Sequence, residues 1–153
     1  MKTIEIRPVT KANASEVLAL KVNESQRHYI ETTEQCLEDA KNCVYYKPVG
    51  LYKEGVLVGF AMYGWFPEYD ENHKKGKVWL DRYLIDERFQ GQGLGSIFLK
   101  SLISKLINEF ACTKIFLSIY DTNIHALSLY KRYGFTFNGE LDFNGEKVME
   151  LIV

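Results

Sequence analysis

Between Arg88 and Ser96 the chain reads RFQGQGLGS, with glycines at 91, 93 and 95 directly ahead of the apolar run Ile97-Phe98-Leu99. Glycine reaches backbone conformations closed to other residues and lets a bound group approach the main chain without meeting a Cβ. At the start of a helix, such a loop gathers unpaired backbone N–H groups and the positive end of the helix dipole at one place, where anions bind. The two familiar phosphate loops do not match. A P-loop needs G-K-[ST], and Lys100 lies too far downstream; the dinucleotide fingerprint G-x-G-x-x-G lacks its third glycine, because positions 96 and 98 are Ser and Phe. Taken alone, the pattern also suits a turn that only packs a helix on a strand.

Two further residues carry chemistry by type and place. Asp81 stands inside Lys77–Ile85, a run too apolar on both faces for a sheet open to water on one side. A carboxylate there must meet something cationic, either a substrate amine or a structural base. Neighbouring residues of a regular strand point to opposite faces, so Arg82 is a poor partner for it. Tyr130 shares helical spacing with Ala126, Leu127 and Tyr133, as a core tyrosine would, yet its hydroxyl is a proton donor over the useful pH range. His28, His73 and His125 show no metal-ligand spacing, and no metal is expected. No cysteine lies near the glycine loop or has an identifiable activating group, which argues against an acyl-enzyme.

The elements that must position these residues follow from periodicity and turn chemistry. Thr3–Val9 alternates as a half-buried strand does, and Ser15–Val22 has helical spacing. Thr32-Thr33-Glu34-Gln35 has the T-x-x-Q form of a capping box opening a helix through about Asn42. A hairpin turns at Lys53-Glu54-Gly55 and continues as Val56–Trp65; Pro67–Gly76 reads as a polar loop, and Lys77–Ile85 as a central strand. Leu94–Phe110 is the clearest helix, with Leu99, Leu102, Ile103, Leu106 and Phe110 on one stripe. Lys114–Tyr120 is a strand, and Ile124–Tyr133 a helix stopped by Gly134. Phe135–Phe143 and Lys147–Ile152 flank Asn144-Gly145, a favoured two-residue hairpin turn. The order is βααβββαβαββ, an α/β sandwich with a mixed central sheet flanked by helices.

Bulk properties bound the function. The 153 residues suit one domain, and a formal net charge of -1 carries no nucleic-acid footprint. Cys36, Cys43 and Cys112 are odd in number with no C-x-x-C pair, which argues against a disulfide framework or zinc site and for a reducing, cytoplasmic compartment. The first residues lack the apolar core of a signal peptide, and no run approaches the ~20 apolar residues of a membrane span. Neither a membrane nor a nucleic acid is expected as a partner.

Two segments then carry a resemblance. Gln90-Gly91-Gln92-Gly93-Leu94-Gly95 matches Q/R-x-x-G-x-G, the acyl-CoA pyrophosphate loop of the GCN5-related N-acetyltransferase (GNAT) superfamily. Arg88 fits the same pattern in a register slipped by two, but Gln90 keeps Gly93 and Gly95 next to the helix. Asn123 to Phe135 resembles that superfamily's N-x-x-A-x-x-x-Y-x-x-x-G-F segment, whose first tyrosine, here Tyr130, approaches the thioester sulfur. Stretches including Tyr45–Tyr52, Gly59–Gly64 and Gly139–Met149 are similar to the bacterial spermine/spermidine N-acetyltransferases within it. The resemblance implies a single acetyltransferase domain over 1–153, acetyl-CoA as donor, a polyamine as acceptor, direct attack in a ternary complex, and a homodimer. It also implies donor contacts from Tyr83, Leu84 and Ile85 on the strand, from Gln90, Gly91, Gln92, Gly93, Leu94, Gly95 and Ser96 in the loop, and from Asn123 and Tyr130.

Acetyl transfer to an amine sets two tasks. An alkylamine of pKa ~10.4 is neutral in only about one molecule per few thousand at pH 7, so a proton must be removed; a departing thiolate of pKa ~8.5 must be stabilised. Tyr130 suits the second task. The resemblance places Asp81 beside the acceptor, where it could hold the ammonium and take its proton, directly or through water. Glu31 is the other acceptor contact expected, since a polyamine calls for spaced carboxylates and aromatic faces. Tyr29, Trp65, Glu68, Tyr69, Asp70, Glu71, Glu140 and Asp142 are further candidates of the same type, most of them read as solvated surface. Two alternatives stay open: the same enzyme acting on a protein or antibiotic amine, and a non-catalytic acyl-CoA-binding module. The presence of both Tyr130 and Asp81 counts against the module.

Overall fold

The computed structural model describes residues 3–22, 24–29, 31–69 and 74–153. Its elements are β1 (Ile4–Pro8), α1 (Ala14–Leu18), a 3₁₀ segment (Glu24–Tyr29), α2 (Thr33–Asn42), β2 (Lys47–Lys53), β3 (Val56–Tyr69) and β4 (Lys74–Ile85). A short 3₁₀ turn (Glu87–Phe89) follows, then α3 (Leu94–Phe110), β5 (Lys114–Ile119), α4 (Ile124–Arg132), β6 (Thr136–Leu141) and β7 (Lys147–Ile152). The strands make one seven-stranded sheet in the order β1-β2-β3-β4-β5-β7-β6, with β4 at its centre. Every pair is antiparallel except β4 and β5.

Both faces of the central strands are covered, which explains their apolar texture. On one face Phe98, Leu99, Leu102 and Leu106 of α3 are buried against Val49, Leu51, Ala61, Tyr63, Val78 and Leu80. On the other, Val17 of α1 and Cys36 of α2 join Tyr52, Phe60, Met62 and Leu84. Along β3, Phe60 and Met62 therefore serve one core, and Ala61 and Tyr63 the other. The β2–β3 turn has positive φ at both Glu54 (50°) and Gly55 (79°), the mirror-image turn that follows strand twist.

Four local expectations are revised. The helix expected over Ser15–Val22 stops at Leu18, because the backbone N–H of Lys21 donates to Asp86 Oδ2 (3.0 Å) and its carbonyl accepts from Glu87 (2.7 Å), drawing the chain out to the β4 end. Within the polar stretch Pro67–Gly76, the described residues 67–69 and 74–76 extend β3 and β4 as a ribbon, in which Pro67 pairs with Gly76. Gly76 lies under the Trp65 ring, which leaves no space for a Cβ. Thr32 caps α2 by accepting from Gln35 N (3.1 Å), but the Gln35 side chain bonds Asp39 Oδ1 (2.9 Å) instead of closing the capping box. The β6–β7 connection is a three-residue loop: Gly145 N donates to Asp142 O (3.1 Å), Gly145 adopts φ 80°, and Asp142 N donates to Glu146 O (2.9 Å).

The centre of β4 is irregular. Met62 lies opposite Arg82 and Tyr63 opposite Leu80, so Asp81 is the extra residue of a β-bulge. The bulge breaks the simple alternation on which Arg82 was set aside as a partner.

Leu102 is fully buried beneath α3. Leu102→Ala should lower unfolding free energy by about 2–5 kcal/mol, read from urea denaturation with the slope unchanged.

Candidate active site

The site begins where β4 and β5 separate. These parallel strands register only at Val78 with Ile115 and Trp79 with Phe116. Beyond Trp79, the β5-facing edge of Asp81–Ile85 has no strand partner among the described residues, and two cavities occupy the resulting wedge. One, about 450 Å³, reaches from Tyr83, Leu84 and Ile85 to Gln90, Gly91, Gly93, Leu94 and Gly95. The other, about 190 Å³, is lined by Tyr29, Glu31, Asp81, Arg82, Ser118 and Glu146, among others. Tyr83, Asn123, Ala126 and Tyr130 line both.

The larger cavity has the features of a phosphate cradle. Gly91 (φ 78°) and Gly93 (φ 77°) occupy the left-handed region, and a Cβ at either would meet nothing within 4 Å, so conformation alone requires glycine there. Gly93 caps α3 without a side-chain hydrogen bond, leaving the first amides of a 17-residue helix to the cavity side. Tyr83 donates its hydroxyl to Gly95 O (2.6 Å), tying the first turn of α3 to β4. Gln90 Nε2 donates to Ile85 O (3.0 Å) and closes the loop on the strand end. Gln92 and Ser96 belong to the loop and the first turn without lining the cavity.

Asp86 underlies this loop and was not singled out from the sequence. It is 1% exposed. Its Oδ1 accepts from Arg88 N (2.9 Å) and Arg88 Nε (2.8 Å), and its Oδ2 accepts from Lys21 N. Burial pushes its carboxyl up, but Arg88 and the two amides hold it below the usual range. Val22, Ser25 and Gln26, carried on the segment thus attached, form part of the donor-side wall.

In the smaller cavity Arg82 is the hub. Its Nη2 meets Glu31 Oε2 at 2.7 Å and Asp39 Oδ2 at 3.9 Å, and its Nη1 lies 3.0 Å from Asp81 Oδ2. The expectation that Arg82 is a poor partner for Asp81 is thereby corrected, the bulge at Asp81 being the cause. Asp81 Oδ2 and Arg82 Nε are nevertheless buried without a hydrogen bond among the described residues. Burial raises the Asp81 carboxyl above its ordinary range against the opposing pull of Arg82 and of the Tyr46 hydroxyl.

Tyr130 projects from α4, with its ring edge-on to Phe135 (5.7 Å, 64°), and burial pushes its phenol upward, so it keeps its proton. Tyr29 donates to Thr122 O (3.3 Å) and lies beside Tyr120 (6.2 Å), giving the acceptor cavity an aromatic side. Glu146 was missed because it looks like a turn-flanking surface acid; burial and then Asp142 push its carboxyl up to about 7.

Other sequence candidates lie elsewhere. Trp65 packs on Tyr45 and Gly76, and Glu140 is exposed beside Asn138. Asp142 anchors the last hairpin and contacts Glu146. Asp70, Glu71 and His73 lie outside the described residues, as do the side chains of His28, Glu68 and Tyr69. His125 lines the donor cavity, and among the described residues no three His, Cys, Asp or Glu side chains are grouped to hold a metal.

A splayed parallel pair, a glycine loop opening a helix and a tyrosine on the next helix define an acyl-CoA-dependent acetyltransferase, and the chain belongs to the acetyltransferase (GNAT) family, whose model matches residues 12–135. Acetyl-CoA is its donor. The chain is 63% identical over 147 residues to the spermine/spermidine N(1)-acetyltransferase of Bacillus subtilis, covering 96% of this chain and 97% of that one. Among solved structures it is similar to an aminoglycoside acetyltransferase bound to coenzyme A (TM-score 0.79, 19% identity, 98% and 95% covered). It is also similar to a Vibrio cholerae spermidine N-acetyltransferase in complex with CoA and spermine (TM-score 0.69, 16% identity, 98% and 94% covered). The last two likenesses bear on fold alone.

Gly93→Ala forces a left-handed alanine at the helix cap. Acetyl-CoA affinity should fall about tenfold, with the acceptor KM little changed; calorimetric titration with acetyl-CoA and initial-rate kinetics check this.

Proposed function

We propose that this chain is a polyamine N-acetyltransferase, moving an acetyl group from acetyl-CoA to a primary amine of spermine or spermidine within a ternary complex. The observation that carries the reading is the acidic cavity sharing one wall with the glycine-loop cavity: Glu31, Asp81 and Glu146 face it against one guanidinium, Arg82. A cation along an aromatic and carboxyl-lined channel replaces water with matched charge. The identity to the spermine/spermidine enzyme supports the same acceptor class.

The donor supplies the acetyl thioester, whose C–S bond breaks as the new C–N bond forms. The amides opening α3, with Gly91 and Gly93, hold the pyrophosphate; Tyr83, Leu84 and Ile85 on the open β4 edge and Asn123 align the arm that leads to the thioester. Asp81 and Glu31 receive the acceptor's positive charge. Tyr130, kept protonated by burial, gives its proton to the leaving sulfur. One domain accommodates the whole reaction. A cytoplasmic setting suits the three free thiols. A homodimer would cover exposed apolar side chains such as Leu141, Phe143 and Ile152.

The test is CoA release from acetyl-CoA with spermine, spermidine, putrescine, a lysine peptide and an aminoglycoside, with products identified by mass. Efficient turnover confined to spermine and spermidine is expected; preference for the peptide or aminoglycoside would overturn the acceptor assignment, and tight acetyl-CoA binding with no turnover would overturn the enzyme reading. Tyr130→Phe should lower kcat about 100-fold with acetyl-CoA affinity unchanged, measured by steady-state rates and titration. Asp81→Asn should raise the polyamine KM at least tenfold by removing a negative charge from the acceptor wall, measured with acetyl-CoA saturating.

A further inference from the structure

We propose that Glu146 takes the proton from the reacting ammonium, with Asp142 as its positioning residue and Asp81 left to hold charge. The proposal rests on the amine-acetylating reading above and adds to it the group that frees the nucleophile's lone pair.

Three carboxyls line the acceptor cavity, and two are engaged. Glu31 and Asp81 both contact Arg82, at 2.7 and 3.0 Å. Burial raises the Asp81 carboxyl, but a proton placed there would cost its contact with a guanidinium that is only 18% exposed and leave Glu31 as the near partner. Among the described residues Glu146 is in no ion pair. It is half-buried, faces the same cavity, and its backbone N–H donates to Asp142 Oδ1 (2.9 Å), which brings its carboxyl under the influence of the Asp142 carboxyl.

Asp142 cannot swing away. Its Oδ1 accepts from the backbone N–H of Asn144 and Glu146, both at 2.9 Å, and with Ser118 on β5 these hold its carboxyl below the usual range. The hairpin is thus a frame holding one carboxylate against a second carboxyl that opens on the cavity. Two carboxyls in contact favour holding one proton between them, so a protonated Glu146 has a built acceptor for its O–H. The charged groups bearing on Glu146 are Asp142 on its own hairpin, Glu31 ahead of α2, which raises its pKa, and Arg82 on β4, which lowers it. The balance lies near neutrality, where a general base is most useful.

In the step itself an N–H bond of the ammonium breaks, its electron pair stays on nitrogen as the nucleophilic lone pair, and the proton forms an O–H bond on Glu146. That proton then passes to solvent, which restores the carboxylate; once the C–N bond has formed the nitrogen sheds its second proton, which by way of solvent replaces the one Tyr130 gives to the sulfur, so that an ammonium and a thioester become an amide, a thiol and one released proton.

The experiment is the pH dependence of kcat/KM for spermidine at saturating acetyl-CoA, in wild type, Glu146→Gln, Asp142→Asn and Asp81→Asn. Wild type should lose activity as pH falls through about 7, because the base becomes protonated. Glu146→Gln should be about 100-fold slower at pH 8, and its rate should instead climb toward the amine's own range near ~10. Asp142→Asn removes the charge that raises Glu146, so the limb should move to lower pH. Asp81→Asn should raise KM and keep the limb near 7. A limb that persists in Glu146→Gln, or that vanishes only in Asp81→Asn, overturns the proposal. Unchanged acetyl-CoA binding confirms the fold of each variant; were Glu146→Gln unable to fold, the shift in Asp142→Asn decides alone. Absence of spermidine turnover in wild type would instead overturn the acceptor reading on which the proposal rests.

Discussion

Parallel pairing between β4 and β5 lasts for two register positions, and most of what the molecule can do depends on its ending there. A continued ladder would satisfy the backbone of Asp81–Ile85 with a neighbouring strand and fill the wedge with side chains. The separation leaves that edge to a ligand and admits the first turn of α3 on one side and α4 on the other. It is tolerable because the strands remain fixed by their other neighbours: β4 by the long antiparallel ladder with β3, and β5 by β7. The cost of open backbone is confined to the place where a bound molecule can offset it.

Charge is arranged around the same wedge in two different ways. On the donor side the protein supplies mostly neutral backbone dipoles, and the carboxylate nearby, Asp86, is turned inward to hold Lys21 and Arg88. On the acceptor side it supplies carboxyls, partly neutralised by Arg82. An anionic donor and a cationic acceptor thus meet opposite environments a few residues apart on the chain, with Tyr83 and Tyr130 between them. Arg82 keeps the acidic group from being prohibitively repulsive before substrate arrives, and the bulge at Asp81 is what lets consecutive residues share one side of the strand.

Much of this was legible in the sequence, and the pattern of what was not is physical. Glycine spacing marked the cradle because only glycine takes the backbone angles at 91 and 93, and a 17-residue stripe marked α3 because period and length agree. The element order was readable for the same reason. Arg82 was misjudged because a bulge leaves no trace in residue type. Glu146 was missed because its significance comes from Asp142 and the cavity, both visible only once the hairpin folds back on β5. Asp86 looked like a loop acid, since the amide it serves lies far away at Lys21. The short α1 had helical spacing, but spacing does not reveal that Lys21 bonds elsewhere.

Tyr83, Asn123, Ala126 and Tyr130 stand in the walls of both cavities. A partition held in common makes the two sites parts of one thermodynamic system. Whatever free energy the donor's arrival stores in or releases from these four side chains is the amount by which it changes the acceptor's affinity, and the acceptor returns the same amount to the donor. The sign and size of that reciprocity belong to the shared wall, so a substitution there alters both affinities and their coupling together.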